Sequence, residues 1–404
     1  MENLNLITKC LEIFSIQLDF LKDFLPENFS PYIDFLPIFL ISAVFAFLVT
    51  PIIGFFAKKY DILDYPAKLR KKKLNKFDKE ERHIHEKPIP LLGGLSFVIP
   101  VILILFLFLN ISVVIKAILV GILILTVVGI LDDIFNLPAS YQLAGQVLAA
   151  TVIALSPINM DILSIPLDGV LNLNWYTFGL FIFPGDLIMI LWILLCINAI
   201  KFINGSDGLM EGNAIIICLL FFILGIRTNA EMIILLSLIL AGSLSGFLFY
   251  NFPPAKIFSG SAGKTSLGFL IAVIAVLNDT KFAASIMILT LPMIDLIFVV
   301  VKRFLQHKPK NFFELIKIND MNHLHHQLIS LGLTPRKVLL VEISFTLLIG
   351  LIAILTTGAI NFFFFVLIIF LTIIGILTLH ILVKKRQSSQ PPEPEESPES
   401  KYSY

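Results

Sequence analysis

Residues 112–133 read SVVIKAILVGILILTVVGILDD. The first 20 of them carry a single charge, Lys116, among aliphatic side chains. A helix rising 1.5 Å per residue needs roughly that length to cross a hydrocarbon core of about 30 Å. The run then ends on two adjacent acids, Asp132 and Asp133, whose charges are costly inside lipid and belong at its boundary. This stretch therefore points to membrane helices with their polar groups gathered at the ends.

The rest of the chain agrees. Of its 404 residues 57% are hydrophobic and only 15% charged, with a mean hydropathy of +0.92, which excludes a water-soluble globular protein. Eleven apolar runs are long enough to be helices in lipid, at about 33–56, 91–110, 112–131, 142–158, 186–203, 209–226, 230–250, 265–279, 282–301, 337–357 and 360–383. The expected fold class is all-α, a polytopic membrane helical bundle of about 11 transmembrane helices. Cys10, Cys196 and Cys218 are scattered, two of them in apolar runs, so neither a disulfide framework nor a metal knuckle is indicated. Residues 1–32 lack a cationic flank and cleavage site and read as an interfacial lead-in, 33–383 as the membrane domain, and the Pro/Glu/Ser-rich 384–404 as a disordered tail.

Charge orients the bundle. Eleven Lys/Arg lie between Lys58 and Lys87 and seven between Lys302 and Lys337, while residues 157–185 have none. The positive-inside rule then puts the N-terminus outside, the C-terminus in the cytoplasm, and loops 57–90, 251–264 and 302–336 on the cytoplasmic side.

On that topology the rare polar clusters fall on one face. They are GILDD at 129–133, NAIKFINGSDGL at 198–209, YNFPPAKIFSGSAGK at 250–264 and DMNHLHHQL at 320–328. Three of them, and the basic loop at 58–87, have an ordinary explanation taken singly. Adjacent acids can end a helix in water, Asn/Asp/Gly can make a turn, three of the seven histidines can sit on a surface, and lysines of the 58–87 loop can attract lipid headgroups. Four segments converging on one side favour a cytosol-facing active site.

SGSAGKTS at 259–266 has the vocabulary of a phosphate-binding loop. The pattern G-x-x-x-x-G-K-[ST] fails, because Phe258 stands where its first glycine is required and no βαβ unit surrounds it. The acids, amides and histidines suit phosphoryl transfer, which needs positioning and neutralisation of charge more than covalent chemistry.

Taken in order, DYP at 64–66, RHIHEKPIPLLGG at 82–94, GILDD, NAIKFINGSDGL, NFPPAKIF at 251–258 and HLHH at 323–326 resemble the polyprenyl-phosphate N-acetylhexosamine-1-phosphate transferase family (WecA/TagO/MraY-like), closer to its glycan-initiating branch. The resemblance covers roughly residues 35–380. It implies transfer of a HexNAc-1-phosphate, GlcNAc-1-phosphate in the first instance, from a UDP-sugar to a membrane polyprenyl phosphate, with release of UMP. Asp132 and Asp133 would handle the acceptor phosphate, with His323, His325 and His326 as further catalytic groups. Arg82, His85, Asn198, Lys201, Asn204, Asp207, Asn251 and Lys264 would bind substrate. The resemblance also implies Mg²⁺ as cofactor, and it admits a homodimer.

At the implied metal positions the chain departs from the pattern. Ser261 stands where G-D-T-G has its metal-binding aspartate, and Lys201 where N-A-x-N has its second asparagine. Gln142 stands where a lysine usually follows the acid pair, and Asn204 replaces an aspartate. Three readings stay open at this point: a metal-dependent enzyme, an enzyme in which Lys201 and Lys264 supply the lost positive charge, and a relative that retains lipid-phosphate binding or transport without the reaction.

Overall fold

A computed structural model describes residues 35–66, 87–108, 112–158, 160, 162–165, 169–277, 282–309, 314–315, 318, 322–356 and 358–389. Arg82, His85, the lead-in 1–32 and most of the basic loop and tail lie outside the described residues.

In chain order the helices are α1 (Leu36–Lys59), α2 (Leu95–Phe108), α3 (Val113–Phe135), α4 (Ala139–Ala154), α5 (Gly185–Ile203), α6 (Leu209–Thr228) and α7 (Glu231–Asn251). They continue as α8 (Gly260–Val276), α9 (Phe282–Ile288), α10 (Thr290–His307), α11 (Leu324–Ser330), α12 (Pro335–Leu355) and α13 (Gly358–Ser389). Three two-stranded antiparallel ribbons accompany them: β1 (Leu63–Asp64) with β2 (Ile89–Pro90), β3 (Ile162–Ile165) with β4 (Gly169–Asn172), and β5 (Asn174–Phe178) with β6 (Phe181–Pro184).

Each apolar run expected from the sequence carries a helix among the described residues, and the chain is an all-α polytopic membrane protein. Seven helices among the described residues, α1, α3, α5, α6, α7, α12 and α13, are long and apolar enough to cross a membrane individually. The run at 282–301 is broken into α9 and α10, bent by 67°, and would add an eighth span if counted as one. The helices α2, α4 and α8 are apolar but shorter. The 11 crossings of the sequence reading thus include four that length alone does not establish. Two boundaries also differ: residues 260–264 are the first turn of α8 rather than loop, and α13 runs past Lys384 to Ser389.

Local chemistry sets the ends of α3. The Ser112 hydroxyl accepts from Ile115 N at 3.3 Å, and Asn136, in the left-handed region at φ 51°, stops the helix before Pro138. Large side chains such as Leu48, Phe55, Leu123 and Leu348 face outward, as lipid-facing positions do. Without a hydrophobic driving force between helices in lipid, close contact depends on small residues. Gly242 and Gly246 of α7, spaced G-x-x-x-G, let that helix lie against the α1 carbonyls of Phe39 and Ala43, where any Cβ would collide. The innermost helix is α8, buried almost throughout from Thr265 to Val276 and packed against α3 and α5.

Candidate functional site

The expected polar segments meet at one end of this bundle. The focus is the junction of the α3 C-terminus with the α8 N-terminus. Asp132 Oδ2 accepts from Ser261 Oγ at 2.5 Å, and Asp133 Oδ1 accepts from Ser261 N at 2.7 Å. Asp133 thereby supplies the negative group that the unpaired amides and dipole of a helix start favour. The approach is possible because Gly129, one turn earlier, lies directly against the backbone of Ala262.

A second layer comes from α4 and α5. Gln142 Nε2 donates to Asp132 Oδ1 at 2.8 Å, and Gln142 Oε1 accepts from Lys201 Nζ at 2.5 Å. Asn198, one turn before Lys201, donates to Gln146 Oε1 at 3.0 Å. Lys201, Gln142, Asp132 and Ser261 thus form one chain of hydrogen bonds across α5, α4, α3 and α8. Lys264, one turn into α8, has charge interactions with both Asp133 and Lys201. Asp132, Asp133, Gln142, Asn198, Lys201, Ser261 and Lys264 are each half-buried, with Gln146 fully buried behind them.

The 198–209 segment then folds over the same junction. Asn204 Nδ2 donates to Ser259 Oγ at 3.3 Å, and Asp207 Oδ2 accepts from Ala255 N at 2.9 Å. Asn251 is 2% exposed: its Oδ1 accepts from Gly208 N and its Nδ2 donates to Ile257 O, both at 2.8 Å. Asn251 therefore splices the two loops together, with both ends of its amide used on backbone. From the other side, Gly93 and Gly94 N donate to the carbonyls of Phe258 and Ser259, bringing in the end of the RHIHEKPIPLLGG motif.

The histidines complete this end. His323 Nδ1 lies 2.8 Å from Asp295 Oδ2, and its ring stacks on Phe202 at 5.1 Å and on His325 at 5.8 Å. His326 follows, 4.2 Å from His325 between ring centres. His325 Nε2 is packed against Gly205, where a Cβ has no room, so the histidine helix α11 is seated on the 198–209 loop. Burial, with like-charged His326 and His323 beside it, holds the His325 imidazole well below its usual pKa. It is neutral at physiological pH.

Sequence reasoning missed three participants. Asp295 reads in sequence as an isolated intramembrane charge, yet it also accepts from Leu324 N at 2.8 Å and so starts α11. Arg303 lies over the Phe202 ring at 5.4 Å, the same ring on which His323 stacks. Glu211 on α6 is fully buried, and the charges of Lys264 and Asp207 act on it. Only their cost inside a membrane segment marks Asp295 and Glu211 in the sequence.

The donor set does not fit a divalent cation well. Mg²⁺ requires near-octahedral oxygen ligands, one or two carboxylates among them. Here both Asp132 oxygens and one of Asp133 hold close protein donors, and the implied ligand positions carry a hydroxyl and an ammonium. Among the described residues no three His, Cys, Asp or Glu side chains group as an ion would need.

The sequence pattern of glycosyl transferase family 4 matches residues 115–279, which carry Asp132, Asp133, Lys201, Ser261 and Lys264. A probable undecaprenyl-phosphate N-acetylglucosaminyl 1-phosphate transferase of Bacillus subtilis is 32% identical over 84% of this chain and 91% of its own length. The decaprenyl-phosphate N-acetylglucosaminephosphotransferase of Mycobacterium leprae is 28% identical over 74% and 78% of the two chains. An undecaprenyl-phosphate alpha-N-acetylglucosaminyl 1-phosphate transferase of Thermotoga maritima is 27% identical over 77% and 87%.

Proposed function

Since this chain belongs to glycosyl transferase family 4, we propose that its four-segment site transfers N-acetylglucosamine-1-phosphate from UDP-N-acetylglucosamine to a membrane polyprenyl phosphate. The observation that carries this reading is the meeting of Asp132 and Asp133 with Lys201, Lys264 and the histidine helix at one end of a lipid-embedded bundle. A long lipid acceptor and a water-soluble nucleotide sugar can meet only at such a boundary. The positive-inside rule, applied to the basic loops, supports a cytoplasmic position for that end, where nucleotide sugars are made.

The step balances without a covalent enzyme intermediate. An oxygen of the lipid phosphate attacks the phosphorus bearing the sugar. One P–O bond forms, the diphosphate P–O bond to UMP breaks, and UMP leaves with the electron pair. From a dianionic lipid phosphate no proton moves; from the monoanion, one proton passes to a carboxylate of Asp132 or Asp133. Lys201 and Lys264 stabilise charge on the transferred phosphoryl oxygens. Neutral His325 with His323 and His326 can donate and accept, which suits sugar hydroxyls and phosphate, and Asn198, Asn204 and Asp207 offer groups for uracil and ribose. Arg82 and His85 are assigned to the diphosphate by residue type.

Purified protein in nanodiscs, given polyprenyl phosphate and a panel of UDP-sugars, should form a lipid-linked product and UMP in equal amounts. Asp132→Asn should lose this while keeping its fold. A well-folded wild type that forms no lipid-linked product from any donor would leave only lipid-phosphate binding or transport.

A further inference from the structure

Two lysines lie where phosphate oxygens must be neutralised, and their placement follows from paired replacements. The pattern that the chain resembles has a lysine at position 142 and an amide at 201. This chain has Gln142 and Lys201, and the two are hydrogen-bonded at 2.5 Å. The ammonium–amide pair has been transposed rather than lost, so the positive charge now arises from α5 and sits at the implied metal-facing position. On α8 the implied carboxylate has become Ser261, whose hydroxyl and backbone N–H are both bonded to the acid pair, and Lys264 follows one turn later. The acids that would ligate an ion are instead occupied by Gln142, Ser261 and the α8 backbone.

We propose that Lys201 and Lys264 replace the divalent cation in this chain, holding the phosphate oxygens of donor and acceptor as fixed ammoniums, so that the site works without a metal. The inference rests on the transferase reading above. Two ammoniums match the double charge of the ion they replace. An ammonium is a compact point charge with three donors, suited to non-bridging phosphate oxygens. It is also repelled by any cation entering between Asp132 and Asp133. Preorganised lysine and Mg²⁺ are alternative means of stabilising the charge that develops in phosphoryl transfer.

The test has one arm without turnover and one with it. Mn²⁺ titration of the wild-type protein in nanodiscs, followed by electron paramagnetic resonance, should show no ion whose binding depends on Asp133. The variant carrying Gln142→Lys, Lys201→Asn and Ser261→Asp together, checked for fold by size exclusion and circular dichroism, should acquire such binding. In the product assay, EDTA should leave the wild-type rate unchanged, whereas Lys201→Ala and Lys264→Ala should each lower kcat/KM by roughly 10²–10³-fold. Stoichiometric Mn²⁺ in the wild type, removed by Asp133→Asn, would overturn the proposal. So would loss of product in EDTA with restoration by Mg²⁺. Absence of product from every donor, with or without metal, counts against the transferase reading instead, and the Mn²⁺ titration still decides between ammonium and ion.

Discussion

Asp295 Oδ2 stands 2.8 Å from His323 Nδ1, joining α10 to the start of α11, while the other Asp295 oxygen accepts from Leu324 N. One buried carboxylate thus fixes a histidine ring and begins the helix that carries the next two histidines. Asp295→Ala should therefore be costly, about 3–5 kcal/mol for orphaning a buried pair, read as a lowered melting temperature. Asp295→Asn retains acceptor and shape. It should remain folded yet lower kcat by roughly 10²-fold through a misoriented His323. Wild-type turnover in folded Asp295→Asn would show that the carboxylate serves structure alone.

The histidine cluster should also make stability depend on pH. His325, 2% exposed, is held well below its ordinary 6.5 chiefly by burial. Above pH 6.5 folded and unfolded chains are both neutral there, and its contribution is fully present. Below that, the unfolded chain takes up a proton that the folded site refuses, so stability falls with acidification toward the folded value. The slope from this one group approaches about 1.4 kcal/mol per pH unit. Thermal melts from neutral pH down to about 5 should show the decline, and His325→Gln should flatten it. An unchanged slope in that variant would assign acid sensitivity elsewhere.

Asn251 offers a test of loop splicing. Its removal by Asn251→Ala leaves Gly208 N–H and Ile257 C=O without their partner. Each orphan costs about 1–3 kcal/mol. Asn251→Asp retains the acceptor for Gly208 but sets an anionic oxygen against the Ile257 carbonyl, and should be no better than alanine. Both variants should raise the KM for the UDP-sugar more than that for the lipid, because Asn251 holds the segment that carries Asn204 and Asp207, which are proposed to meet the nucleotide. Equal changes in both would move that boundary.

Helix positions were readable because the membrane imposes a length and a composition on each segment. The gathering of acids, amides and histidines was readable too, since charge asymmetry put four motifs on one side. Pairings were not. Nothing local ties Asp295 to His323, 28 positions away, or Lys201 to Gln142, 59 away, because such contacts depend on how helices cross. The ribbons at 162–184 were also unforeseen: Trp175, Tyr176 and Phe178 there are exposed rather than buried, so no core-facing alternation announces β5. Ser261 was legible as a missing carboxylate, whereas its two bonds to Asp132 and Asp133 required the structure.

The α3–α8 crossing gives the sharpest separation of packing from chemistry. A methyl group at Gly129 would fall on the Ala262 backbone, which cannot yield without the helices parting. Asp132 and Asp133 are one turn beyond, so parting the helices also pulls them from Ser261. Gly121 lies on the same face of α3, but a methyl there meets only the edge of the Phe269 ring. Gly121→Ala and Gly129→Ala should each cost about 1–3 kcal/mol through overpacking. Only Gly129→Ala should also lower product formation out of proportion to the folded fraction, measured by size exclusion and melting on the assayed samples. Equal specific activity in the folded fractions of both variants would mean that the carboxylates tolerate displacement, and that the short bonds to Ser261 do not set their catalytic geometry.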